Sequence, residues 1–358
     1  NPSNGEILAM VNYPEFHLND PFTLTEEVNV PAEKKQDLLN QMWRNQCISD
    51  TYEPGSTFKM ITAIAGLETG VITPTEKIND IGVYKKAHEP ACWIWNSYGM
   101  SHGWLNVTEA ITHSCNYFFY EVGYRATIDN IAKYAKYYGL GEKTNVELPM
   151  EEKGIVATRD KAKERGDEWQ IGETLSAAIG QSYNSYTPIQ MAKYISMLAN
   201  GGEPIDVTIV KSINDVNGNQ VSKEDITKFV NAKLGLTKEK KENLNIKKEN
   251  IDAILKGMKG VTSEEGGTAY STFANFNIEL GGKTGSAQTD VQGKINGWFV
   301  GFAPYEEPEI AVVVLVENAG SGSYTAEVAR DILQEYFGMN MEKVEEDLTA
   351  MPSTEIQN

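Results

Sequence analysis

The chain has 358 residues, of which 41% are hydrophobic and 23% charged, as in a globular protein that can bury a sizeable core. Its formal net charge of −18 argues against nucleic acid or an anionic membrane surface as a partner. Three cysteines, Cys47, Cys92 and Cys115, are too few for a disulfide framework.

The N-terminal residues suggest a part of a longer protein. The sequence begins at Asn1 without an initiator Met and moves at once into an apparent strand at residues 6–11. No stretch has the length of a membrane-spanning helix, and no signal peptide is visible. We therefore expect that the parent protein has a segment before Asn1.

The predicted elements run from this early strand through a long helical middle to late strands and a final helix. Helical spacing and caps predict helices at residues 33–43, 56–67, 126–139, 190–198, 251–261 and 324–337, with one more that opens at Asn106. Two strong strands are predicted at residues 298–304 and 310–317, after a strand that carries Lys283. The Lys- and Glu-rich segment 223–250 is typical of a solvated surface.

This order predicts the fold class, an α+β fold with a mostly antiparallel sheet covered by helices. The early strand can pair only with strands that come late in the sequence. We find no internal repeat.

The first motif with a chemical meaning is Ser56-x-x-Lys59, which follows the turn Pro54-Gly55. Residues three apart lie on one helix face, so a lysine with a lowered pKa could take the proton of the serine hydroxyl. Alone, the spacing is common, and it favours a capping serine and a solvated lysine. The two motifs that follow favour the catalytic interpretation instead.

The second motif is Ser114-x-Asn116, near the start of a helix. A second hydroxyl, on Ser114, could pass a proton to a leaving amine. The amide of Asn116 could hold Lys59 and a substrate amide.

The third motif is Lys283-Thr284-Gly285, on the strand near the end of the chain. Lys283 could supply positive charge for a substrate carboxylate, and Thr284 could bond to it. Gly285 would keep the strand open, so that a peptide could lie beside it. The backbone N–H groups of Ser56 and Ser286 are the candidate oxyanion hole.

The ordered trio resembles the transpeptidase domain of class B penicillin-binding proteins. Further segments carry the resemblance along nearly the whole chain: residues 4–10, 52–59, 102–103, 187–192, 199–202 and 298–304. The resemblance implies the penicillin-binding/β-lactamase-like fold in residues 1–340, with a helical subdomain inserted at about 60–200 and an acidic tail at 341–358.

The family implies a cell-wall D,D-transpeptidase that needs no cofactor for catalysis. Its serine, here Ser56, is acylated by a D-Ala-D-Ala stem peptide, releases D-Ala and passes the acyl group to an amine on a second strand. β-Lactams acylate the same serine. The family also implies an N-terminal membrane helix and a pedestal domain that this sequence lacks, a place on the extracytoplasmic face of the bacterial membrane, and a partner glycosyltransferase within a cell-wall complex.

Alternatives remain at this point. Residues 129–135 and 138–141 look like elongation-type enzymes, and a septal or spore-specific paralogue stays open. Gln181-Ser182 stands where the family pattern has Gln-Gly.

A serine β-lactamase and a penicilloyl-sensing receptor domain are the competing interpretations. A class A β-lactamase would need an E-x-x-L-N run, which is missing between Asn116 and Lys283. A class D β-lactamase or a receptor domain is disfavoured by residues 4–10.

Four side chains form a candidate structural zinc site: Asp80, His88, Cys92 and Cys115. Two thiolates, an imidazole and a carboxylate would complete a tetrahedral shell. His102 and His113 are alternative ligands. The rival interpretations are two buried free thiols with a surface histidine, and a Cys92–Cys115 disulfide.

Overall fold

The computed structural model describes residues 1–13, 15–17, 19–24, 31–235, 243–289 and 293–339. The predicted acidic tail at 341–358 lies outside the described residues. Within them, no helix is both long and apolar enough to cross a membrane.

Most of the helices pack against one another. Their bounds are α1 (Ala32–Met42), α2 (Gln46–Ser49), α3 (Lys59–Glu68), α4 (Trp93–Tyr98), α5 (Val107–Thr112), α6 (Asn116–Tyr137), α7 (Arg159–Arg165), α8 (Ile171–Ala178), α9 (Pro188–Ala199), α10 (Lys223–Leu234), α11 (Lys248–Ser263), α12 (Tyr270–Phe273) and α13 (Ser323–Tyr336). The helices predicted at 33–43, 190–198, 251–261 and 324–337 are therefore confirmed within a few residues.

The strands form three antiparallel sheets in the described part of the chain. The small sheets are β1 (Phe16–His17) with β2 (Asp20–Leu24), and β3 (Ile78–Asp80) with β4 (Gly103–Leu105). The main sheet has the order β5 (Gly281–Gln288), β6 (Ile295–Ala303), β7 (Ile310–Val316). Helices α9, α11 and α13 pack against it, as the α+β prediction requires.

The prediction of an early strand at residues 6–11 is wrong, since this segment forms only an isolated bridge between Glu6 and Thr208, and its partner is not a late strand. Ile7 donates its backbone N–H to the Thr208 carbonyl at 2.9 Å, and Thr208 donates to the Gly5 carbonyl at 3.1 Å. The backbone groups at the start of the chain are thus satisfied by an extended segment after α9, not by a late strand.

Burial explains why α3 is apolar on all sides. Residues 59–67 are all buried, and α3 lies against α6 and α11. Helix α5 begins with the predicted cap: Asn106 and Glu109 exchange the two hydrogen bonds of a capping box. This core fixes the positions of α3, which begins at Lys59 of the first motif, and of α5, which leads to the second motif.

Helices α5 and α11 approach closely because α11 carries glycine at the contact. A Cβ on Gly257 would lie 2.8 Å from the Ile111 Cβ, and one on Gly260 would lie 2.3 Å from the Thr112 hydroxyl. Thr262, two residues after Gly260, donates to the Leu280 carbonyl at 2.8 Å just before β5. Helix α11 therefore bridges the second and third motifs.

Candidate active site

Ser56 lies in a 3₁₀ turn, Gly55–Phe58, that runs directly into α3. Gly55 has φ = +53°, and a Cβ there would lie 2.8 Å from the Ser286 carbonyl oxygen. Glycine is needed at this point because the turn lies against β5. The serine is partly exposed, and the prediction that it sits at a helix start is confirmed.

The Lys59 side chain is fully buried and points to the second motif. Its Nζ donates to Asn116 Oδ1 at 2.6 Å, to the Ser114 carbonyl at 2.7 Å and to the Ser114 hydroxyl at 3.1 Å. Burial lowers the pKa of Lys59 to about 8, although negative charge on Cys92 and Cys115 opposes the shift. A pKa this far below that of a solvated lysine makes the neutral amine accessible near neutral pH, as a general base requires.

The Lys283 side chain reaches the same hydroxyl. Its Nζ donates to Ser114 Oγ at 2.9 Å and to the Thr284 carbonyl at 3.0 Å. Burial, and then the charge of Lys59, lower the pKa of Lys283 well below its usual value. The Ser114 hydroxyl thus lies between two amines, of which one is favoured to be neutral.

The loop between α5 and α6 holds Ser114 in an unusual conformation. Ser114 has φ = +54°, which costs a residue with a Cβ about 1 kcal/mol. The Cys115 backbone N–H donates to the Ala110 carbonyl at 2.9 Å, and its Sγ accepts from the Phe118 N–H at the start of α6. These bonds fix the turn that presents Ser114.

The third motif lies on β5, at the edge of the main sheet. A Cβ on Gly285 would lie 2.9 Å from Thr57 Cγ2 and 3.0 Å from the Pro54 carbonyl. The glycine therefore lets β5 approach the turn that carries Ser56, a role that the sequence analysis did not foresee. The exposed Ser286 accepts a hydrogen bond from the Gly322 N–H at 3.2 Å.

Ser182 has φ = +68°, a conformation that favours glycine, and its hydroxyl donates to Glu173. This bond anchors the serine where the family pattern has glycine.

Four ligand-type side chains meet beside this site: Asp80, Cys92, His102 and Cys115. Their donor atoms all lie within 4.8 Å of one another. The two Sγ atoms are 3.9 Å apart, and His102 Nδ1 lies 3.6 Å from the Cys92 Sγ and 2.7 Å from Asp80 Oδ2. Both thiols are free and buried, and their separation is far above the S–S bond length of about 2.05 Å.

His88 does not belong to this cluster, so the predicted ligand set is wrong in its histidine. Val83 pairs with Ala91, which places His88 in the exposed turn between them. His102 directly precedes β4, whose Gly103 pairs with Asp80 of β3. The β3–β4 register therefore brings His102 to the carboxylate, and His113 instead lies 3.2 Å from the Gly266 carbonyl.

Hydrogen bonds set the charges in the cluster. The bond from Cys115 lowers the pKa of the Cys92 thiol to about 5, and burial raises that of Cys115. Burial alone would lower the pKa of His102, but its bonds to Asp80 and Cys92 raise it to about 9. Burial would raise the pKa of Asp80, but donors led by His102 hold it at about 2.

A family model described as the penicillin binding protein transpeptidase domain matches residues 1–334. The chain belongs to this family. The peptidoglycan D,D-transpeptidase MrdA of Haemophilus influenzae is 29% identical over 364 residues, covering 96% of this chain and 53% of that protein. The stage V sporulation protein D of Bacillus subtilis is 31% identical over 334 residues, covering 89% of this chain and 44% of that protein.

Solved structures of penicillin-binding proteins share the fold. The chain matches Pseudomonas aeruginosa PBP2 in complex with WCK 5153 with a TM-score of 0.78 and 31% identity, over 94% of this chain and 72% of the other. It matches Helicobacter pylori PBP2 in its complex with MreC with a TM-score of 0.75 and 29% identity, over 95% and 59%. The chain spans about half the length of the curated relatives it matches.

One side chain at the site of this penicillin-binding transpeptidase domain was not predicted from the sequence. Thr268, in the loop between α11 and α12, lies with its hydroxyl 2.6 Å from that of Thr284. No local pattern distinguishes this threonine from many others, because its partner is 16 positions away on a different element.

Proposed function

We propose that the chain is the catalytic part of a peptidoglycan D,D-transpeptidase that cross-links stem peptides through an acyl-enzyme on Ser56. One observation carries the proposal: a buried amine with a pKa of about 8, Lys59, shares the Ser114 hydroxyl with a second buried amine, Lys283. Membership of the family and the names of its relatives support the same activity.

In the first step, Ser56 Oγ attacks the carbonyl carbon of the penultimate D-Ala, and neutral Lys59 takes the hydroxyl proton. The N–H groups of Ser56 and Ser286 stabilise the oxyanion. A C–O bond forms and the C–N bond to the last D-Ala breaks. The departing amine receives the proton through Ser114, which contacts Lys59.

In the second step, an amine of a neighbouring stem peptide gives up a proton and attacks the ester carbon. A C–N bond forms, the ester C–O bond breaks and Ser56 regains its proton. Lys283 is fully buried and contacts Ser114, so we assign it to the electrostatic environment of that hydroxyl. Thr284 is assigned to the substrate carboxylate. β-Lactams acylate Ser56 by the same first step, with ring opening in place of amine release.

Similarity to several relatives supports a proposal for the setting of this reaction. MrdA-like proteins, a PBP2–MreC complex and a peptidoglycan synthase complex are among the proteins to which the chain is similar. We infer that the parent protein is anchored by an N-terminal helix, carries a pedestal domain, works on the extracytoplasmic face of the membrane and acts with a glycosyltransferase. No reported relative supports a serine β-lactamase or a penicilloyl-sensing receptor.

Release of D-alanine tests this activity. We expect the chain, given glycan strands with pentapeptide stems, to release D-Ala and to form cross-linked dimers, both measured by liquid chromatography and mass spectrometry. The variant Ser56→Ala should do neither. Release at the same rate by the wild type and by Ser56→Ala would contradict the proposal.

We also propose that the four-residue cluster of Asp80, Cys92, His102 and Cys115 holds a structural zinc ion. Two sulfur ligands of tetrahedral zinc are about 3.8 Å apart for Zn–S bonds of about 2.3 Å. The observed Sγ–Sγ separation is 3.9 Å, and the Cys115 Sγ lies 3.4 Å from Asp80 Oδ2. The ion would tie β3 and β4 to the start of α6, next to Ser114, and catalysis would need no step through it.

The zinc proposal is tested by native mass spectrometry and thermal unfolding. We expect a mass increment of one zinc, and a lower melting temperature for Cys92→Ser and Cys115→Ser. Cys47→Ser is the matched control, because Cys47 is a free thiol outside the cluster. A chain without bound zinc whose cluster variants melt like the wild type would overturn the proposal.

A further inference from the structure

The Thr284 hydroxyl has a partner that the proposed mechanism does not use. Thr268 Oγ1 lies 2.6 Å from Thr284 Oγ1, and within the described part of the chain this is the one hydrogen bond of either hydroxyl. Thr284 is 9% exposed and Thr268 is partly exposed. The pair therefore lies at the border between the core and the surface beside β5, where the substrate peptide is proposed to bind; this surface is called the cleft below.

The direction of this hydrogen bond decides what Thr284 can offer to a ligand. A hydroxyl has one proton and two lone pairs. If Thr284 donates to Thr268, only its lone pairs face the cleft, and these repel a carboxylate. If Thr268 donates to Thr284, the Thr284 proton is free for the carboxylate, and the two bonds in series strengthen each other.

The backbone holds Thr268 firmly in this position. Gly267 donates its N–H to the Glu264 carbonyl at 2.9 Å, and Ala269 donates to the Val261 carbonyl at 3.0 Å. A Cβ on Gly267 would lie 2.4 Å from the Gly260 carbonyl, so the loop is pressed against the end of α11. The Thr268 hydroxyl is therefore fixed in place before a ligand arrives.

The same loop also contacts the second motif. His113, next to Ser114, lies with its Nδ1 3.2 Å from the Gly266 carbonyl, two residues before Thr268. Thr268 thus sits on a loop held between the serine motif and the end of α11, which itself packs on β5.

We propose that Thr268 is a positioning residue of the carboxylate end of the cleft, where it donates to Thr284 and turns the Thr284 hydroxyl proton toward the substrate carboxylate. This inference rests on the proposed transpeptidase function, in which Thr284 binds that carboxylate. Thr268 itself acts through Thr284.

Comparison of acylation by benzylpenicillin and by its methyl ester distinguishes lost recognition of the carboxylate from general damage to the active site. The ester lacks the charged carboxylate. We expect Thr268→Val to slow acylation by the free acid about tenfold, since hydrogen bonds to charged groups are the strong ones. Acylation by the ester should stay near the wild-type rate. Thr268→Ser, which keeps the hydroxyl, should restore the rate with the free acid.

The matched control is Thr272→Val, the same chemical change on α12, which should leave both rates unchanged. Thr268→Ala serves as a second variant without the hydroxyl, and melting temperatures of all variants are measured. Equal slowing with both compounds, or no slowing with the acid, would overturn this inference while the transpeptidase proposal stands. A wild-type chain that the acid does not modify would overturn both.

Discussion

Ser114 is the residue on which the proposed chemistry converges. Its hydroxyl lies 3.1 Å from the Lys59 amine and 2.9 Å from the Lys283 amine. Two ammonium groups so close to one oxygen would repel each other inside the core, where burial already disfavours charge. The arrangement therefore favours at least one neutral amine, and the proposed mechanism assigns the base to Lys59, whose pKa is lowered to about 8.

The protonation of Lys59 predicts the pH dependence of acylation. The neutral amine is the active form, and the pKa is about 8, so the rate should rise about tenfold per pH unit below pH 8 and level off above it. The measurement is the second-order rate of acylation by a fluorescent penicillin from pH 6 to pH 9.5. A rate that is flat or falls between pH 6 and pH 8 would contradict the assignment of Lys59 as the base. The variant Lys59→Arg should be inactive.

Removal of the Ser114 hydroxyl tests the proton path. We expect Ser114→Ala to slow acylation by about 10²- to 10⁴-fold, the usual contribution of proton transfer. Ser271→Ala, an exposed serine on α12, is the control and should behave like the wild type. A Ser114→Ala protein that is acylated at the wild-type rate would show that protons reach the leaving group by another route.

At the scale of elements, α11 sets the distance between the motifs. It packs against α5, which leads to Ser114, and against β5, which carries Lys283. Glycines on α11 allow the contact with α5, since a Cβ on Gly257 would also lie 2.8 Å from the Thr108 carbonyl. A backbone atom cannot move aside as a flexible side chain can.

Gly257→Ala should therefore force α5 and α11 apart. We expect a loss of about 1–3 kcal/mol in the free energy of unfolding, as in other overpacked cores, together with slower acylation. Ser263→Ala, at the exposed end of the same helix, should change neither property appreciably. Thermal unfolding and penicillin acylation measure the two effects, and an unchanged melting temperature would refute the close-packing account.

At the scale of the whole molecule, local pattern predicted the helices and the motifs, and long-range pairing was harder to predict. The cap at Asn106 and the helix after Ser56 depend on neighbours in sequence, and both are confirmed. The partner of residues 5–7 depends on where α9 ends in space, which periodicity does not encode. The zinc hypothesis named His88 because it is near Cys92 in sequence, whereas strand pairing brings His102 to Asp80.

The site was predictable to the extent that its residues stand in short motifs. Ser56, Lys59, Ser114, Asn116 and Lys283 were named from the sequence, and the last four meet in one hydrogen-bonded group. Thr268 was missed because its only signal is a contact across 16 positions. The role of Gly285 beside a bound peptide stays a prediction, and its close approach to Thr57 and Pro54 was not predicted.

The most direct test of the central claim is intact-protein mass spectrometry after brief exposure to a penicillin, with Ser56→Ala alongside. The account predicts one covalent adduct that persists for many minutes and is missing in the variant. An adduct that forms equally on Ser56→Ala, one that clears within seconds, or no adduct at all would contradict a transpeptidase that works through a Ser56 acyl-enzyme.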